Sequence, residues 1–205
     1  MLGGSGKSVL SALIIQYIQR ETFDATKALG YHYFDTNDND ERIVTGFLCS
    51  LIKQLLSDFN DLPGVFKELY AKYSGDGNCN SIKQEHLIET LTVIVSLRSS
   101  TYVVLDAIDE LPESDLYCLF NILEQLSSRT GQKLRFFCTS RPTQMISDEV
   151  TRLGWRTTAL NAEEIDKDIS KYVRDCLSSK RAFSQLEVGL KESICSRILR
   201  RTQGM

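Results

Sequence analysis

The run TYVVLD, Thr101 to Asp106, is short, almost wholly apolar, and ends in a carboxylate. A strand with one wet face would alternate polar and apolar residues, whereas an unbroken apolar run suits a strand buried on both faces of a parallel sheet. Other segments supply its partners. ALGYHYFD (Ala28 to Asp35) reads as an aromatic-rich strand ending in the turn-forming run Thr36 to Asp40. KLRFFCTSR (Lys133 to Arg141) reads as a second buried strand stopped by Pro142, and WRTTAL (Trp155 to Leu160) as a weaker one. Helical spacings lie between them. Val9 to Arg20 is apolar on most faces, as for a helix buried against a sheet. Ile43, Phe47, Leu48, Leu51, Ile52, Leu55, Leu56 and Phe59 recur at three and four, as do Leu87, Leu91 and Ile94 within Ile82 to Leu97. Leu116, Leu119, Phe120, Leu123 and Leu126 form one side of a further helix. YSGDGNCNS (Tyr73 to Ser81) reads as a surface loop. The alternation implies an α/β fold with right-handed crossovers and helices on both faces of the sheet.

Beyond Asn161 only helices are expected. Asn161 with Glu164 resembles a capping box, opening a helix that carries Ile165, Ile169, Tyr172 and Val173. A last helix places Leu186, Leu190, Ile194 and Ile198 on one face. The expected division is therefore a sheet domain over 1–160 and a helical segment over 161–205.

Composition narrows the partners. With 205 residues and a net charge of −3, there is no basic field to draw nucleic acid or an anionic membrane surface. The longest apolar region, Ile88 to Ile108, is interrupted by Arg98, Ser99, Ser100 and Asp106, which argues against a membrane span. The six cysteines lie far apart without a C-x-x-C, and only His32 and His86 could join them around a metal, so reduced and mostly buried thiols in a cytoplasmic protein are expected. His32, between two tyrosines, and Trp155 read as packing residues. Arg197, Arg200 and Arg201 read as a solvated helix face.

Three stretches carry chemistry. In MLGGSGKSVLS, Gly3, Gly4, Ser5 and Gly6 leave backbone N–H groups free to close on a phosphate, and the helix behind them points its positive end at the same anion. Lys7 would reach the β- and γ-phosphates and the Ser8 hydroxyl would ligate Mg²⁺, although Met1 stands where the motif has its first glycine. In VVLDAIDELPE, Asp106 lies at the carboxyl end of a buried strand, where open α/β sheets bind ligands, and would hold Mg²⁺ opposite Ser8. Asp109 and Glu110, just beyond, could orient or deprotonate a water, and alone they also fit a solvated acidic turn. In FFCTSRP, Arg141 could pair with a γ-phosphate, or simply with Asp106 or Asp109.

Together GGSGKSVLS, YHYFD, GFLCSLIKQLL, VVLDAIDEL, FFCTSRP and DISKYV resemble the NACHT branch of the STAND signalling NTPases, most closely the nephrocystin-3-like N-terminal domain of fungal incompatibility and ankyrin-repeat proteins. The resemblance implies a three-layer P-loop NTPase sandwich with strand order 2-3-1-4-5, followed by a helical domain. It implies an ATP/ADP switch in which ATP holds an oligomerising form within a larger multidomain protein. On this pattern Gly3, Gly4, Ser5, Gly6, Lys7, Ser8 and Val9 bind the nucleotide, Ser8 and Asp106 serve Mg²⁺, Asp109 or Glu110 positions water, and Arg141 senses the γ-phosphate. The pattern's first strand, which should lie between those of Asp106 and Arg141, has no residues here. Truncation at both ends, an unpaired sheet centre and poor stability are the resulting expectations. The alternatives are a scaffold impaired in nucleotide binding and a P-loop phosphotransferase, the latter without a visible lid or acceptor pocket.

Overall fold

The computed structural model describes residues 6–21, 26–35, 43–57, 59, 64, 66–67, 71, 83–160, 162–180, 183 and 185–202. The expected turn at 36–40, the loop at 73–81, Asn161 and the loop residues 1–5 lie outside these.

Lys7–Trp155 form one compact unit. Its elements are α1 (Lys7–Glu21), β1 (Lys27–Tyr33), α2 (Ile43–Ser57), α3 (Gln84–Ser96), β2 (Ser100–Asp106), α4 (Glu113–Thr130), β3 (Leu134–Cys138) and α5 (Gln144–Arg152). The strands make a three-stranded parallel sheet in the order β1-β2-β3, with mixed α/β structure around it.

The sheet explains the apolar run of β2. Val103 and Leu105 face one core, shared with Phe47, Leu48, Leu51 and Leu55 of α2, Leu91 and Ile94 of α3, and Phe120 and Leu123 of α4. Val104, one residue out of phase, faces a smaller core with Ile15 and Ile18 of α1. Alternation across the strand thus buries both faces. Trp155 joins the larger core as expected, stacked on Phe136 with ring centroids 6.0 Å apart. His32 is a packing residue too, edge-on to Phe34 at 4.6 Å and to Phe47 at 5.3 Å.

Close approach of α2 to β1 depends on Gly30. A Cβ there would lie 2.2 Å from Leu51 Cδ1, so the absent side chain is what lets the helix seat. The open edge of β1 is also managed. The Gln54 amide accepts from Tyr31 N and donates to Tyr31 O, both at 2.9 Å, and so occupies groups that would otherwise recruit another strand.

Several expectations are corrected. β2 pairs directly with β3, from Thr101 opposite Leu134 to Leu105 opposite Cys138, so among the described residues the sheet has no unpaired centre. The gap expected to cause poor stability is thus closed by the β2–β3 ladder. WRTTAL is not a strand: after Trp155 its residues are exposed and carry no regular element. Its β-branched residues have the propensity, but no ladder partner overrides the alternative. β3 ends at Cys138, three residues before Arg141. α1 buries a single stripe, Ser11, Ile15 and Ile18, while Val9, Leu13 and Tyr17 at spacings of four stay exposed.

The described residues from Arg156 onward group separately. Within this unit α6 (Ala162–Ser179) packs on α7 (Val188–Thr202). The expected apolar faces are met in part. Ile169, Val173, Leu186 and Ile194 are half-buried, whereas Tyr172, Leu190 and Ile198 are exposed, and among the described residues Leu177 and Cys195 are the buried ones. Arg197 is exposed, as expected. No helix among the described residues is long and apolar enough to cross a membrane.

Candidate functional site

The start of α1 and the carboxyl ends of β2 and β3 bring together the polar side chains singled out in the sequence. Asp106 ends β2 in phase with Tyr102 and Val104, and this parity aims its carboxylate at α1. Thr139 follows Cys138, the partner of Leu105, so it emerges on the same face beside Asp106. Three hydroxyls then converge on one carboxylate. Ser8 Oγ donates to Asp106 Oδ2 at 2.5 Å. Ser11 Oγ and Thr139 Oγ1 donate to Asp106 Oδ1, each at 2.6 Å. Asp106 is only 3% exposed, Ser11 fully buried and Thr139 nearly so, so the Ser11 and Thr139 bonds act where water cannot replace them, whereas Ser8 is exposed. Among the described residues, Asp106 has hydroxyl partners and no ion pair.

The turn after β2 redirects the chain. Ala107 has φ 57° and ψ 47°, a left-handed conformation that is uncommon outside glycine and belongs to the strained kind found at functional sites. Its N–H donates to Thr139 Oγ1 at 3.0 Å, and Ile108 N donates to Thr139 O at 3.0 Å. This pinning carries the short turn Ile108–Glu110 over the strand end. There Asp109 accepts from Arg141 N at 2.8 Å, and its carboxylate lies 3.9 Å from Lys7 Nζ and 3.5 Å from Arg141 Nε. Its side chain is 6% exposed. Glu110 lies 3.4 Å from the Arg141 guanidinium, and its side chain is 24% exposed.

The structure therefore brings together Lys7, Ser8, Asp106, Asp109, Glu110 and Arg141. Gly3, Gly4 and Ser5 lie outside the described residues. Gly6 has φ 72°, a left-handed value that explains glycine at the entry to α1. Val9 lies on the exposed stripe of α1. Ser11 and Thr139 were missed by reading the sequence. Ser11 follows Ser8 by three, the one available signal that both share a helix face. Thr139 had no signal short of the β2–β3 register.

Electrostatics follow from the packing. Burial first, and then the Asp106 charge, raise the Tyr33 phenol above its ordinary value; Tyr33 lies opposite Asp106 in the ladder. Burial pushes the Cys138 thiol from 9.0 up to about 12. The protonated thiol is thus favoured in the folded state, and above pH 9.0 the unfolded chain releases this proton while the folded chain keeps it. Stability should fall as pH rises from about 9 to about 12, and Cys138→Ala should flatten that limb in denaturant titrations. An unchanged slope would contradict the assignment. The five described cysteines are free: Cys49 is exposed, Cys118, Cys138 and Cys176 are half-buried and Cys195 is buried, so fewer of these residues are buried outright than expected.

No group of three or more His, Cys, Asp or Glu among the described residues forms a protein-only metal centre. What the site offers is oxygen: the Ser8 hydroxyl and the Asp106 carboxylate, 2.5 Å apart. Such a sparse hard-donor pair fits Mg²⁺, which keeps waters and takes its other ligands from phosphate.

The family described as Nephrocystin 3, N-terminal matches residues 2–141. The chain belongs to the nephrocystin 3 N-terminal family. The matched span begins in the glycine-rich loop and ends on Arg141, so it holds every charged side chain of the cluster. The α6–α7 pair lies outside it. Comparison with curated proteins gave no match.

Proposed function

We propose that this nephrocystin 3 N-terminal domain is a nucleotide switch: a P-loop ATPase of the NACHT type within the STAND class, binding ATP/ADP with Mg²⁺ and hydrolysing slowly as part of a larger protein. The observation that carries the reading is the 2.5 Å hydrogen bond between Ser8 and Asp106, which joins the glycine-rich loop's helix to the acid-ended strand across 98 residues. Bound Mg²⁺ would neutralise phosphate charge there. Lys7 supplies the phosphate-binding cation at the start of α1, where the helix N-terminus favours anions as well.

The two acids take different roles. Asp109, enclosed and held by Lys7 and by both the backbone and side chain of Arg141, orients those cations. Glu110, more open and with one long contact, is the group able to position and deprotonate water. Slow turnover fits a site whose arginine is engaged by Asp109 and Glu110 before nucleotide arrives. That engagement also gives the non-hydrolysing scaffold its one supporting observation, since Lys7 too already has an anionic partner.

Titrating Mg-ATP into the chain, beside Lys7→Ala, tests the reading. Loss of about 1.5–3 kcal/mol of binding is expected from removing a charge-assisted contact, or roughly ten- to a hundredfold in Kd. Equal affinities would remove the basis for the proposal.

A further inference from the structure

We propose that Thr139, assisted by Ser11, is a positioning residue that leaves Asp106 with a single carboxylate oxygen for the cation. The inference rests on the nucleotide reading above and concerns the same site. Its basis is the unequal loading of the two oxygens. Oδ1 accepts two hydroxyl hydrogen bonds at 2.6 Å, from Ser11 on α1 and Thr139 beyond β3, whereas Oδ2 accepts one, from Ser8. Ser11 is fully buried and Thr139 nearly so. Their bonds are therefore not exchanged for water, and Oδ1 is held away from other chemistry.

Thr139 is itself fixed on three sides. Its hydroxyl accepts from Ala107 N at 3.0 Å, its N–H donates to Leu105 O at 2.9 Å, and its carbonyl accepts from Ile108 N at 3.0 Å. A carboxylate accepts and does not donate, so the Thr139 hydroxyl, which already accepts from Ala107 N, directs its one hydrogen at Asp106 Oδ1. The carboxylate plane follows, and Oδ2 is presented toward Ser8 and the start of α1. A divalent cation that reaches Asp106, directly or through water, then meets one defined oxygen beside the Ser8 hydroxyl. Small oxygen-demanding cations bind best where such geometry is pre-set, because their ligand cage tolerates little distortion. Outer groups that orient a metal's ligands commonly alter metal affinity by about ten- to a hundredfold.

Mn²⁺ serves as the probe, its binding in the presence of ADP read by electron paramagnetic resonance, with ADP binding in chelator measured separately. Thr139→Val should weaken Mn²⁺ about tenfold while leaving metal-free ADP affinity unchanged, and Thr139→Ser should restore the wild-type value. Ser11→Ala removes the other donor to Oδ1 and should shift Mn²⁺ in the same direction, which keeps the test available if the valine variant misfolds. Wild-type Mn²⁺ affinity in both Thr139→Val and Ser11→Ala would overturn the inference while leaving the nucleotide reading intact. So would a Thr139→Ser variant as weak as Thr139→Val, because packing rather than the hydroxyl would then be responsible. Failure of the wild-type chain to bind ADP with or without Mn²⁺ would instead overturn the nucleotide reading, and the inference with it.

Discussion

Glu110→Gln is expected to reduce phosphate release from ATP by about a hundred- to ten-thousandfold, the usual contribution of a positioned general base, while leaving Mg-ATP affinity within about twofold. Glutamine keeps the side-chain volume and an acceptor oxygen, so the long contact with Arg141 is weakened rather than emptied. What it cannot do is accept a proton from water. Asp109→Asn should behave differently. Asp109 lies against both Lys7 and Arg141, and neutralising it disturbs two cations at once, so binding and turnover should change together. Single-turnover phosphate release, with binding measured separately, distinguishes the two acids. Selective loss of turnover in Asp109→Asn, with Glu110→Gln active, would reverse the assignment.

Phe120→Ala should cost the sheet unit about 3–5 kcal/mol, the range for deleting a buried aromatic and leaving a cavity. Phe120 is fully buried in the larger core, with its ring centroid 6.1 Å from that of Trp155. Domains are stable by only about 5–15 kcal/mol, so such a loss is a large share of the total. For a unit of this size it corresponds to a fall in Tm of roughly 6–20 °C. Tyr117 on the same helix is exposed, and Tyr117→Ala should stay within about 0.5 kcal/mol of wild type. Equal losses for the two variants would mean that α4 is not seated as described.

Periodicity made the larger core legible. The stripes of α2, α3 and α4 and the apolar run of β2 pack much as their spacing implies, because long amphipathic helices and a doubly buried strand leave few alternative arrangements. The outer stripe of α1 was not legible. Val9 and Leu13 are as apolar as Ile15 and Ile18, and which stripe finds a partner depends on where β2 places Val104, a long-range contact that spacing does not encode. The direct β2–β3 ladder was also hidden, since strand neighbours depend on long-range pairing that local pattern does not encode. At the site, charged and glycine residues announced themselves by type and order, which is why Lys7, Ser8, Asp106, Asp109, Glu110 and Arg141 could be named in advance. Ser11 and Thr139 could not, because a small hydroxyl residue in a helix or after a strand has many ordinary uses. Their role depends on a carboxylate 95 residues from one and 33 from the other.

In the proposed Mg²⁺-nucleotide site, the glycine-rich helix start and the acid-ended strand act together through Ser8 and Asp106. ATP affinity measured with Mg²⁺ and with chelator, in the wild-type chain and in Ser8→Ala, tests it most directly. Mg²⁺ should strengthen ATP binding to the wild-type chain and lose most of that effect in Ser8→Ala, with chelated affinities alike. An undiminished Mg²⁺ effect in Ser8→Ala, or no ATP binding by the wild-type chain under either condition, would contradict it.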